Sequence, residues 1–160
     1  MWGHVDPYGD ETVAQARVNV MTLNIETYIH GHSDDAALWT TLGPLFADRK
    51  VVSDLGGLPI YSVPGVRWFI AIDDGRPIGF ASMRLKPDAI WYDYGYVVPD
   101  RRQAGVFAAL ARARDQEAAN SWARQLRAVI RESRWKHYKT RGWKIGSRRG
   151  SWIHILKEPV

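Results

Sequence analysis

Apolar and polar residues alternate with a period of two in several separate stretches of this chain and recur near a period of 3.6 in two others. Residues 17–25 alternate, which predicts a half-buried strand. Leu38, Trp39, Leu42 and Leu45 then recur at helical spacing behind Ser33, Asp34 and Asp35, a capping residue followed by acids suited to a first helical turn. Gly56, Gly57, Pro59, Pro64 and Gly65 interrupt any regular element and predict a loop, the natural place for a substrate-binding segment. Residues 66–72, 78–85 and 90–98 read as three strands. The turn signals between them, Asp73-Asp74-Gly75 and Lys86-Pro87-Asp88, are short enough to make an antiparallel meander.

After Pro99 the period changes. Val106, Leu110, Ala113 and Glu117 fall on helical spacing in an alanine-rich run from Gly105 to Ala119. Residues 127–130 are β-like, 133–140 suggest a helical turn or two, and the chain returns to strand from Gly142, turning at Arg149-Gly150 into 152–156. A meander followed by a crossover helix predicts an α/β protein whose mixed sheet is part antiparallel and part parallel. No repeat or linker divides residues 1–160, so one domain is expected, with 1–14 an irregular N-terminal segment.

Composition narrows the chemistry. With no cysteine among 160 residues, disulfides, thiolate metal sites and a cysteine nucleophile are excluded. No apolar run approaches the roughly 20 residues of a membrane span, and no signal-like start is present, so a cytoplasmic protein is expected. Charge is uneven. Residues 101–150 hold 14 Arg/Lys against 3 Asp/Glu, whereas 1–100 hold 7 against 13. The basic stretch predicts an anionic ligand: a phosphorylated cofactor, a nucleic acid, or both.

The strand ending at Val98, the turn from Pro99 to Ala104 and the helix opening at Gly105 form a candidate anion cradle. A helix N-terminus presents free N–H groups and the positive end of its dipole, Gly105 allows close approach to the backbone, and Arg101 and Arg102 add charge. The run Val97-Val98-Pro99-Asp100-Arg101-Arg102-Gln103-Ala104-Gly105-Val106-Phe107 resembles the pyrophosphate motif of the GNAT acetyltransferases, with Arg102 and Gly105 matching it and Phe107 departing from its small residue. His137-Tyr138 followed by Gly142-Trp143 resembles the same family's helix-to-strand segment, although Arg131 stands where that family often carries asparagine.

The resemblance implies a GNAT-like acyl-CoA N-acyltransferase fold over about residues 17–156. It implies acetyl-CoA as acyl donor, lying in a splay between the fourth and fifth strands. Main-chain N–H groups of Val97 and Val98 would hold it, with Arg101, Arg102, Gln103, Ala104, Gly105, Val106 and Phe107 around the pyrophosphate. An amine acceptor would attack directly, and Tyr138 would act as general acid toward the departing thiolate. A looser likeness to the phage Mom proteins implies modification of adenine in DNA as an alternative, and an inactive GNAT-like nucleic-acid or protein-binding module is another. A dimer is plausible.

Asp93 and Glu26 are the candidate bases. A period of two on strand 90–98 puts Trp91, Asp93, Gly95 and Val97 on one face and Tyr92, Tyr94, Tyr96 and Val98 on the other. Asp93 among aromatics is either a carboxyl raised in pKa by burial or the partner of an arginine. His30 and His32 have no third ligand at a recognised spacing, so no metal is expected. Of eight tryptophans, Trp122, Trp135, Trp143 and Trp152 are interleaved with arginines. Such aromatics either stack nucleic-acid bases or form a core beside a basic rim.

Overall fold

The computed structural model describes residues 23–158 apart from Ser33. The expected irregular segment 1–14, residues 17–22 of the expected first strand and the helix start at Ser33 lie outside the described residues. Among the described residues seven strands form one sheet in the order β1-β2-β3-β4-β5-β7-β6. They are β1 (Asn24–Ile29), β2 (Arg67–Asp73), β3 (Arg76–Leu85), β4 (Ile90–Val97), β5 (Leu126–Arg131), β6 (Lys144–Arg149) and β7 (Trp152–Lys157). Neighbours are antiparallel except β4 and β5, which are parallel and joined by the crossover helix α3 (Val106–Ala119). This is the expected mixed α/β sheet.

Two further helices, α1 (Asp35–Ala47) and α2 (Arg49–Asp54), lie on the opposite face from α3. Leu38 and Leu42 are fully buried, and Phe46 packs edge-on against Trp68 and Phe80. On the other face the buried stripe of α3 is Val106, Leu110, Arg114 and Ala118, each one turn after the last. Burial of one large aliphatic side chain stabilises by about 1.5–3 kcal/mol, so these two apolar layers fix the sheet between them.

One irregularity determines the site. Ala81 opposes Gly95 while Met83 opposes Tyr92, so β4 carries one residue more than β3 across this interval, a β-bulge. The bulge overturns the simple alternation expected for residues 90–98. Tyr92 turns toward α3, where the Arg114 guanidinium lies 3.9 Å from its ring centroid. Tyr94 stacks on Trp68 at 5.8 Å and Tyr96 on Phe80, both on the α1 side. Asp93 shares that side through Arg84, whereas Gly95 backs onto Phe107 of α3.

Candidate functional site

Beyond the bulge the sheet opens. β4 and β5 pair only at Ile90–Leu126, Trp91–Arg127 and Tyr92–Ala128, and from Asp93 onward β4 has no strand on that side among the described residues. The buried Arg114 side chain, 4% exposed, donates to Tyr94 O at 3.0 Å and Ser82 O at 3.3 Å. A bulge leaves ladder groups without their usual partners, and a buried carbonyl requires a donor, so Arg114 stabilises the irregularity that opens the strand pair. Burial lowers the Arg114 pKa from its usual value, with the Tyr92 ring opposing the shift.

The opening decides which amides are available. Val98 N–H donates to Ile78 O at 2.9 Å. In an antiparallel ladder consecutive residues present their N–H groups to opposite sides, so Tyr96 and Val98 bond toward β3, whereas Gly95 and Val97 present theirs to the splay. The expectation that Val97 and Val98 both hold a ligand is therefore corrected at Val98, whose N–H is already paired within the sheet. Arg102 Nε donates to Val97 O at 2.9 Å.

The chain then turns through a 3₁₀ segment, Pro99–Arg101, into α3. Two departures to positive φ, Gln103 at 65° and Gly105 at 82°, swing it around Ala104 so that the helix starts facing the splay. The first intrahelical bond is Ala109 N–H to Gly105 O at 3.1 Å, which leaves the N–H groups of Val106, Phe107 and Ala108 without helical acceptors. These amides and the helix dipole make the cradle.

Arg101 and Arg102 do not serve as free charges. Arg101 pairs with Asp73, and Arg102 bonds Asp54 of α2 at 3.1 Å while lying 5.3 Å from the Tyr96 ring centroid. Both brace the loop. The cavity's cations without a carboxylate partner among the described residues come from the opposite wall. Arg134 and Arg141, beside His137 and Tyr138, line the same cavity of about 320 Å³ as Gly95, Val97, Gly105 and Phe107.

Phe107, the departure from the motif, is accommodated by Gly95. A Cβ at position 95 would stand 2.9 Å from Phe107 Cε2, so the ring occupies space that any other residue at 95 would fill. Tyr138 ends the 3₁₀ segment Glu132–His137, half-buried, its ring edge-on to Trp143 at 5.9 Å. It faces the cavity across from the cradle.

On the α1 side of β4 a second hollow, about 330 Å³, is lined by Tyr61, Arg84, Trp91, Asp93, Tyr94 and Trp152 among others. Asp93 accepts two bonds from Arg84, Nε at 2.6 Å and Nη2 at 2.8 Å, and the carboxylate strengthens the hold of Arg84 on its proton. Of the two possibilities for Asp93, the structure shows the arginine pair. The loop after α2 reaches this hollow, Tyr61 N–H donating to Tyr94 Oη at 3.3 Å. Glu26 accepts from the Tyr28 hydroxyl at 2.7 Å on β1, three strands and about 14 Å from β4 in a sheet with strands ~4.8 Å apart. Glu26 is therefore not brought to the site. His30 bonds Ser62 at 2.8 Å, and no cluster of three metal-ligating side chains occurs among the described residues.

Sequence reasoning missed Arg84, Arg114, Arg134 and Arg141. Arg114 carried a readable signal: it stands four residues after Leu110 and eight after Val106, on the stripe that must be buried.

Neither protein-family models nor curated protein sequences give a match to this chain. Solved structures do. ElaA of Escherichia coli superposes with a TM-score of 0.66 at 13% identity over 85% of this chain and 99% of its own. The ribosomal-protein-S18-alanine N-acetyltransferase of Escherichia coli gives 0.62 at 15% identity, covering 85% and 94%. The PaiA N-acetyltransferase of Thermoplasma acidophilum, solved with coenzyme A, gives 0.58 at 13%, covering 84% and 99%. None of these is named as a DNA-modifying enzyme, and the likeness to Mom finds no support in them. With its splayed fourth and fifth strands and the glycine-led helix between them, the chain has the fold of the GNAT acyl-CoA N-acyltransferases.

Proposed function

We propose that this protein transfers an acetyl or related acyl group from acetyl-CoA to an amine by direct attack. The observation that carries the reading is the convergence, on one cavity, of unpaired β4 amides, the free N-terminal amides of α3 and the Tyr138 ring. The donor set fits a phosphorylated thioester: free helix amides on one wall, a strand edge between, and on the facing wall a phenol beside two guanidinium groups that have no carboxylate partner among the described residues. Coenzyme A bound to PaiA on the same fold supports the choice of donor.

Acetyl-CoA, when bound, supplies an acyl group activated as a thioester. The chain's own residues position and neutralise. The amides of Val106, Phe107 and Ala108 would hold the diphosphate from one wall, with Arg134 and Arg141 meeting its charge from the other. The Val97 and Gly95 N–H groups, which face the splay, would hold the pantetheine arm and the acyl oxygen, where preorganised donors stabilise developing charge. Tyr138 donates its proton to the departing sulfur, a role open to a phenol only because the acceptor is a thiolate generated in place. Asp93, fixed by Arg84 on the other side of β4, would orient the acceptor amine and take up, through water, the proton that the amine loses as the C–N bond forms and the C–S bond breaks.

Release of free thiol from acetyl-CoA with a panel of small amines, peptide N-termini and lysine peptides tests this reading. Turnover with at least one amine, dependent on Tyr138, is expected. Coenzyme binding with no turnover on any amine would leave an inactive GNAT-like module.

A further inference from the structure

Among the described residues, no helix covers one face of the C-terminal half of the sheet. Its other face is buried, with Leu126, Ala128, Ile153 and Ile155 in the core together with Trp143. On the open side Val129 and Trp152 are 49% and 42% exposed, unusual for large apolar residues in central strands. Cross-strand register places the rest. Arg131 opposes Trp152, which opposes Arg149; Val129 opposes His154, which opposes Ser147. Paired residues share a face, so these side chains form one surface across β5, β7 and β6. Val129 and Trp152 also line the hollow beside Asp93, making the surface continuous with that hollow.

Its chemistry is that of flat rings beside cations. The Arg131 guanidinium lies 4.7 Å from the Trp152 ring centroid, and Trp91 stacks with His154 at 5.5 Å and an interplanar angle of 9°. Neither Arg131 nor Arg149 has a carboxylate partner among the described residues. Two like-charged copies of this face repel each other, and a neutral peptide leaves the arginines without partners. A single-stranded nucleic acid meets both features: its phosphates pair with the guanidinium groups, and its unpaired bases stack on the exposed rings.

We infer that single-stranded nucleic acid docks across the open β5-β7-β6 face, with Trp152 as its stacking platform and Arg131 and Arg149 as phosphate contacts. A duplex hides its base faces in its own stack, so the geometry favours single strands.

The test uses the full chain without coenzyme, which separates its outcome from that of the acyltransfer reading. Fluorescence anisotropy of a labelled oligothymidylate of about twelve nucleotides is followed against salt. Saturable binding is expected. Trp152→Ala weakens it about 5- to 150-fold, Trp152→Phe restores most of it, and Arg131→Gln or Arg149→Gln each lowers the salt slope by about 0.7. Arg112→Gln, at an exposed position on α3, leaves binding unchanged. The inference is overturned by no saturable binding, an equal effect of Arg112→Gln, equal affinity for a duplex of the same length, or equal competition by polyglutamate, which would make the partner an acidic protein. Dimers in sedimentation that dissociate with Trp152→Ala would assign the face to a second copy instead.

Discussion

Replacing Gly95 by alanine tests whether the Gly95–Phe107 contact makes room for a phenylalanine in the cradle. The added Cβ would stand 2.9 Å from Phe107 Cε2, well inside van der Waals contact. The φ of Gly95 is not positive, so its backbone accepts alanine, and the substitution alone gains about 0.5–1 kcal/mol from reduced unfolded-state entropy. Overpacking costs about 1–3 kcal/mol, leaving a net destabilisation of up to about 2.5 kcal/mol with Phe107 present. In a Phe107→Ala background the clash vanishes, and Gly95→Ala becomes neutral or stabilising. The sign change is the signature. Urea unfolding of the wild type, the two single variants and the double variant gives the coupling energy, expected near 1–3 kcal/mol. Coenzyme affinity, measured in parallel, falls in the single Gly95→Ala variant because the displaced ring moves into the cavity. If Gly95→Ala costs the same in the Phe107→Ala background as it does with Phe107 present, the two residues do not share the space and the cradle is built differently.

Other outcomes follow from the same geometry. Tyr138→Phe should lower turnover roughly 10²-fold with coenzyme affinity nearly unchanged, checked by steady-state thiol release and equilibrium binding. Arg134→Gln and Arg141→Gln should each weaken coenzyme binding about 3- to 10-fold without altering stability, as measured by calorimetric titration. Arg114→Met should leave Ser82 O and Tyr94 O without their donor and destabilise by roughly 1–3 kcal/mol in urea. Asp54 is held below its usual pKa by Lys50 first, with Tyr96 and Arg102 assisting, so its stabilising contribution is present above about pH 4 and is lost as pH falls through the lowered folded-state value. Asp54→Asn should therefore lower the melting temperature near neutral pH and make little difference in acid below that value, as followed by circular dichroism.

The strands of the meander and α3 were legible because their periods are set by burial on a defined face, as in residues 78–85 and at Val106 and Leu110. The cradle was legible as well, since Gly105 after a strand and before an alanine-rich helix leaves few conformations open. What the chain did not disclose was the bulge. No residue in Trp91-Tyr92-Asp93-Tyr94 marks the extra position, and a single inserted residue moves Tyr92 and Gly95 to one face and Asp93 and Tyr94 to the other. Partnerships among charges were equally hidden. Arg101 and Arg102, within the motif, are drawn to Asp73 and Asp54, whereas Arg134 and Arg141, distant in sequence, line the cavity without a carboxylate partner among the described residues. Local sequence says which arginines exist; only the fold decides which of them meet carboxylates.

The most direct test of the central claim is thermal unfolding of the wild-type chain with and without saturating acetyl-CoA, alongside Gly105→Leu. Ligand at about 100 times its dissociation constant stabilises by about 2.7 kcal/mol, a rise of roughly 5–10 °C for a domain of this size. Gly105 holds a φ of 82°, so leucine there strains the cradle and places a side chain in the path of the diphosphate. A rise of that size in the wild type, lost in Gly105→Leu, is the expected result. No rise in the wild type, or an equal rise in both, would contradict a coenzyme site at the splay of β4 and β5.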